Sequence, residues 1–184
     1  MIEKWDNPLT DEYKMLKDFV LNSQEMAWYH YPESLPLESY YRKSNDIAFY
    51  GHKVMERPDT GPTYKHPYSD ITSQHFEKSY QVMQQIFDYN NTPLKVIYRI
   101  NFNCVHAQRV KQSTWHRDVE IPHKNFIIYL SKFTDGWTYL KNGDKIEKSE
   151  PIEDGIIVFD NELHCHAPPK KLEERRIVLV ACWL

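Results

Sequence analysis

The amino-acid sequence predicts a mainly β protein in which two amphipathic helices precede an antiparallel barrel or double-sheet jelly roll and cover one of its sheets. Three observations carry this expectation. Apolar residues recur at helical spacing in two windows of the first ninety residues. From residue 94 onward the period falls to two. The strand-like runs there are short and closely spaced, with turn residues between them.

The first helix is expected over Asp11 to Asn22, with Tyr13, Leu16, Phe19 and Val20 on one face and Thr10 or Asp11 as N-cap. The stretch from Tyr29 to Tyr68 is rich in Tyr, Pro and charge and reads as irregular, either a lid or substrate surface or a solvated cover. A second helix is expected from Ser73, its cap, to Tyr89, with Phe76, Tyr80, Met83, Ile86 and Phe87 on one side. Asn90-Asn91-Thr92-Pro93 ends it. Leu94 to Asn103 then alternates, with Val96, Tyr98, Ile100 and Phe102 on one side and Lys95, Arg99, Asn101 and Asn103 on the other. Asn125 to Ser131 is an apolar run. Gly136 to Lys141 and Lys145 to Glu147 flank Asn142-Gly143, a strong hairpin signal. Ile156 to Phe159 reads as a buried strand, and Arg176 to Trp183 as the last one.

The chain has 184 residues, an amount that one domain accounts for, divided into helical support and irregular cover over 1–93 and a core over 94–184. Its net charge of −3 is spread over both signs, which argues against nucleic acid as a partner. Three cysteines, Cys104, Cys165 and Cys182, form no CxxC pair, which fits a reducing compartment better than a disulfide framework. No apolar signal segment opens the sequence, and no run approaches the ~20 residues that span a bilayer, so a cytoplasmic protein without a membrane partner is expected. With five glycines and no GxGxxG or Walker pattern, Gly-rich phosphate loops are nearly excluded.

The chemistry-bearing pattern is His116-Arg117-Asp118, followed by His164 and then Arg175-Arg176. On an extended segment residues i and i+2 share a face, so His116 and Asp118 converge while Arg117 points away. His164 follows the Ile156 to Phe159 run and can return a third ligand. Two imidazoles and one carboxylate with open positions suit non-haem Fe(II). His166 is the alternative third ligand, and Cys165 faces away from His164.

The stretch from Ser113 to Trp183 resembles the 2-oxoglutarate/Fe(II)-dependent dioxygenases, in particular their prolyl-4-hydroxylase-like branch of small stand-alone bacterial and phage members. Trp115-His116-Arg117-Asp118 resembles the family's HxD, and Phe126 to Ser131 its strand with an internal Tyr-Leu. Asp135-Gly136-Trp137-Thr138 is similar to its Gly-Gly-x-Thr turn, and Pro151 to Asp160 to its approach to the distal histidine. Leu163 to Pro168 is similar to the distal histidine segment, and Arg176 to Leu179 to the strand bearing the cosubstrate anchor. The resemblance implies a double-stranded β-helix (jelly roll, cupin-like) core. It implies Fe(II) held by His116, Asp118 and His164, with 2-oxoglutarate as cosubstrate and O₂. Arg176 would pair with the cosubstrate's distal carboxylate, with Arg175 as the alternative, and Tyr129 would donate its hydroxyl to the same group. Trp183 would line the pocket floor and Tyr98 would bound the pocket. Hydroxylation is the implied outcome, on a peptide or protein side chain or a small molecule. A non-redox cupin-like metal- or sugar-binding module and a non-catalytic interaction domain are the competing readings.

Overall fold

The computed structural model describes residues 1–34, 46–58, 68–119 and 121–184. The elements run β1 (Glu3–Trp5), α1 (Asp11–Asn22), β2 (Tyr29–Tyr31), β3 (Phe49–Glu56), β4 (Asp70–Ile71), α2 (Phe76–Tyr89), β5 (Ile97–His106), β6 (Lys124–Tyr129), β7 (Thr138–Asn142), β8 (Lys145–Ser149), β9 (Ile156–Asp160), β10 (Leu163–His166) and β11 (Arg175–Trp183). An eight-stranded sheet has the order β1-β9-β6-β11-β5-β3-β2, with β4 on β3, and a three-stranded sheet has the order β10-β7-β8. The protein is thus mainly β with two flanking helices and a double-stranded β-helix core. Among the described residues no helix is long and apolar enough to cross a membrane.

Side-chain alternation on β5 and β11 separates two cores. Ile100, Phe102, Ile177, Leu179, Ala181 and Trp183 join Tyr13, Leu16, Val82, Met83, Ile86 and Phe87 of the helices in one cluster. Val178, Val180, Ile127, Tyr129, Ile157 and Phe159 face the other way and meet Leu140 of the small sheet. The first cluster fixes the helices on the large sheet. The second lies between the sheets, beside the site described below.

The first helix matches its expected bounds, and Thr10 Oγ1 accepts the Tyr13 N–H at 3.2 Å. The second starts at Phe76, three residues later than its sequence suggests. Ser73 is not its cap: its hydroxyl accepts the His75 N–H and contacts His52 Nε2, which holds the preceding turn instead. Its buried face is Ser79, Val82, Met83, Ile86 and Phe87, leaving Tyr80 only partly covered.

The stretch expected to be irregular contributes strands β2 and β3 to the large sheet. Gly51-His52-Lys53 breaks the apolar alternation that would have marked β3, and pairing with β5 overrides the weak local pattern. His52 is buried there because its ring nitrogens meet Ala27 O at 2.7 Å and Ser73 Oγ at 2.8 Å. A Cβ at Gly51 would stand 3.0 Å from the Tyr31 ring. The lid or substrate-surface reading of this stretch falls largely on residues 35–45 and 59–67, outside the described residues. In the β7–β8 hairpin Asn142 pairs with Lys145, so the turn is Gly143-Asp144, one residue beyond its expected place, with Gly143 at φ 58°.

Candidate active site

His116 lies on no strand. It forms an isolated antiparallel bridge with His164 of β10, each backbone N–H donating to the other's carbonyl at 2.9 Å. This reciprocal pair locks two distant segments together at the two imidazoles. Each imidazole is then aimed by its own Nδ1, which donates to a backbone carbonyl: Thr114 O at 2.8 Å for His116 and Glu162 O at 3.1 Å for His164. A carbonyl oxygen only accepts, so the proton of each neutral ring sits on Nδ1 and the lone pair on Nε2. Both Nε2 atoms face Asp118, at 3.9 Å from its Oδ1 for His116 and 3.5 Å from its Oδ2 for His164. One donor atom from each of the three buried side chains lies within 4.8 Å of the others. Two neutral nitrogens and one carboxylate, oriented by backbone acceptors behind them, form a donor set that fits a divalent transition metal.

The electrostatics favour that state. Burial, reinforced by His116, pushes the His164 imidazole down to about 4 against the pull of Asp118, so it is neutral near pH 7. Burial works to raise the Asp118 carboxyl, but the Arg99 charge, followed by the two imidazoles and Arg57, outweighs it. The group is held well below the usual carboxylate range. Arg99 Nη1 donates to Asp118 Oδ1, and Arg57 Nη1 donates to the Asp118 backbone carbonyl.

At the other end of the same cavity lies Arg176. It is 3% exposed, donating from Nε to Gly136 O and from Nη2 to Thr138 Oγ1, both at 3.1 Å. The Tyr129 hydroxyl shares a 2.8 Å bond with the same Thr138 oxygen, and the guanidinium carbon is 5.7 Å from the Tyr129 ring centroid. No carboxylate among the described residues forms an ion pair with Arg176. Burial lowers its pKa and Tyr129 opposes this, yet a guanidinium stays charged. A buried cation without a counter-ion is costly unless a ligand supplies the anion.

The alternation that sorts the cores also sorts the arginines. Arg176 shares its face of β11 with Val178 and Val180 and lines the cavity, whereas Arg175 is exposed on the opposite face. Trp183, on the Arg175 side, does not floor the pocket: it packs at 4.6 Å on Phe87 under the helices. Tyr98, expected to bound the pocket, does not line it: the β5–β11 register shifts there, with Arg99 opposite Cys182 and Ile97 opposite Trp183. His166 lines the cavity but lies outside the three-residue cluster. It pairs with Thr138 in the β10–β7 register, beside Arg176, and its buried Nε2 has no partner. Sequence reasoning passed over Arg57, Arg99 and Asn103 as cavity-lining residues. The signal for Arg99 and Asn103 was the polar side of an alternating strand. Arg57 follows the unrecognised β3 and gave none.

No protein-family model matches the chain, and no curated protein matches it in sequence. Solved structures do match it, and they define the class of fold: that of the 2-oxoglutarate/Fe(II) oxygenases, prolyl hydroxylases included. An oxidoreductase of the 2OG-Fe(II) oxygenase family from Burkholderia pseudomallei aligns with a TM-score of 0.65 and 12% identity, over 93% of this chain and 78% of that one. A Trichoplax adhaerens prolyl hydroxylase, solved with a hypoxia inducible factor peptide fragment, gives a TM-score of 0.62 and 11% identity over 100% and 83%. The viral collagen prolyl hydroxylase of Paramecium Bursaria Chlorella virus-1, solved as a 2OG complex, gives 0.56 and 12% over 98% and 94%. At these identities the likeness is one of fold.

Proposed function

We propose that this chain is an Fe(II)- and 2-oxoglutarate-dependent dioxygenase, residues 1–184 acting as one domain, that hydroxylates an unactivated C–H of a peptide or protein side chain or of a small molecule. The observation that carries the reading is that one cavity is lined both by the His116–Asp118–His164 cluster and by the buried, uncompensated Arg176. His116, Asp118 and His164 are the residues that would hold Fe(II), and Arg176 with Tyr129 would hold the distal carboxylate of 2-oxoglutarate. Iron bound there would, with O₂, supply the oxidising chemistry, and 2-oxoglutarate would be the co-reductant converted to succinate and CO₂.

The chain's own contribution is binding, orientation and exclusion of water. The two Nδ1–H bonds keep both Nε2 lone pairs directed at the metal position without rearrangement. The Tyr129 and Thr138 hydroxyls have two protons between them and use one on each other, so one remains for an incoming carboxylate oxygen beside the guanidinium. Ile127 and Val180 give the cavity an apolar wall. A non-redox cupin-like module has no need of a buried guanidinium without a protein anion. The peptide-bound prolyl hydroxylase among the neighbours supports a peptide as one substrate class. The test is Fe(II)-dependent release of succinate from 2-oxoglutarate, abolished by chelation and in His164→Ala. Absence of any metal-dependent turnover of 2-oxoglutarate across candidate substrates, or turnover that persists in His164→Ala, overturns the proposal.

A further inference from the structure

The proposed reaction accounts for one end of the cavity and leaves the charge at the other unexplained. The β5–β11 register places Arg176 opposite Val105 and Cys182 opposite Arg99. Arg176 and Arg99 therefore project from the same sheet face with six residues of strand between their levels, about 20 Å at the ordinary rise. The residues between them follow in order. Thr138 touches Arg176, His166 pairs with Thr138, His164 lies two positions along β10, Asp118 faces His164, and Arg99 donates to Asp118. Arg57 joins Arg99 at this end by its bond to the Asp118 carbonyl. The metal cluster thus separates one guanidinium from two others.

Among the described residues Asp118 is the only carboxylate that lines the cavity, against the guanidiniums of Arg57, Arg99 and Arg176. A ferrous ion and a 2-oxoglutarate dianion cancel each other, so with both bound two positive charges remain. A cosubstrate that reaches from the metal to Arg176 cannot also meet Arg57 and Arg99, which lie beyond the metal. The strand between them carries Asn101 and Asn103 on the same face, and the buried Asn101 Oδ1 has no partner. That end of the cavity is polar and cationic where a purely apolar substrate would require the reverse.

We infer that the primary substrate is an anion that presents a carboxylate to the Arg57–Arg99 pair, with the C–H to be oxidised held over the metal. The guanidinium forks suit bidentate carboxylate recognition, and the carboxylate comes either from a free acid or from an acidic side chain of a peptide. This inference rests on the oxygenase reading. Calorimetry on the anaerobic Mn(II)-loaded protein with 2-oxoglutarate tests that reading first, and failure of 2-oxoglutarate to bind sinks it alone. The saturated complex is then titrated with matched pairs: free amino acids and short aliphatic acids against their primary amides, and N-acetyl aspartyl and glutamyl peptides against the asparaginyl and glutaminyl ones. The expected result is that acids of one arm bind and their amides bind about tenfold or more weakly. Arg57→Gln is expected to weaken acid binding by a similar factor, while Lys53→Gln, which removes an exposed cation on β3, does not. No difference between acids and amides, whether both bind or neither does, overturns the inference, as does acid binding indifferent to Arg57→Gln.

Discussion

The two faces of the large sheet are built from the same strands and serve opposite ends. On β5 and β11, Ile100, Phe102, Ile177, Leu179, Ala181 and Trp183 meet the helices in a continuous apolar core. The intervening residues Arg99, Asn103, Val105, Arg176 and Val180 line the cavity that also holds His116, Asp118 and His164. One parity stabilises the fold, and the other places buried charge in the cavity, where Arg99 meets Asp118 and Arg176 has no carboxylate partner among the described residues. The polar side of an alternating strand is therefore not always its solvent side. Where a second sheet covers it, the same alternation marks a site.

Substitutions on the two faces should separate stability from binding. The largest effect belongs to the helix face. Phe102→Ala is expected to lower unfolding free energy by about 3–5 kcal/mol, read from urea denaturation, while the protein that remains folded keeps its metal affinity. A loss below about 1 kcal/mol would mean that this face is not the structural one. Next comes Gly136→Ala at the Arg176 end. Gly136 has φ 65°, and an added Cβ would stand 2.5 Å from the Phe133 ring. Because its carbonyl accepts from Arg176, the strain should cost about 1–3 kcal/mol and also weaken 2-oxoglutarate binding measured by calorimetry.

Thr138→Val sharpens the contrast further. It removes the oxygen shared by Tyr129 and Arg176, with an expected cost of about 1 kcal/mol in stability and about tenfold in 2-oxoglutarate affinity. Equal affinity would remove that hydroxyl from the anion site. The smallest effect is on Cys104, on the helix face, whose thiol burial pushes up to about 11. Its raised value makes the neutral thiol's contribution to stability complete below about 8.5, the value for an unfolded cysteine. That contribution is lost as pH rises through about 11. Cys104 should resist alkylation at pH 8 until the protein unfolds, and rapid labelling of the folded protein would contradict its packing.

The sequence made the second half more legible than the first, for physical reasons. His116 and Asp118 could be picked out because i, i+2 geometry makes their side chains converge, and His164 and Arg176 because their segments resemble the distal-histidine and anchor motifs of the family. The structure brings the first three to one point and Arg176 to the same cavity. Strand β3 was hidden because Gly51, His52 and Lys53 lack the pattern of a half-buried strand, and their places are set by β5, Tyr31 and Ser73. The choice between Arg175 and Arg176 needed the register of β11, since a strand's two faces look equivalent until one is known to meet the helices. Arg57 was beyond reach for the same reason as β3.

The central claim is that the three-residue cluster and Arg176 form one site, and the most direct measurement is calorimetric titration of 2-oxoglutarate into the protein under anaerobic conditions, with and without Fe(II). The account predicts binding that requires the metal and is lost both in Asp118→Ala, through the metal, and in Arg176→Gln, through the anion. Binding indifferent to Fe(II) or to Arg176→Gln, or no binding at all, would contradict it.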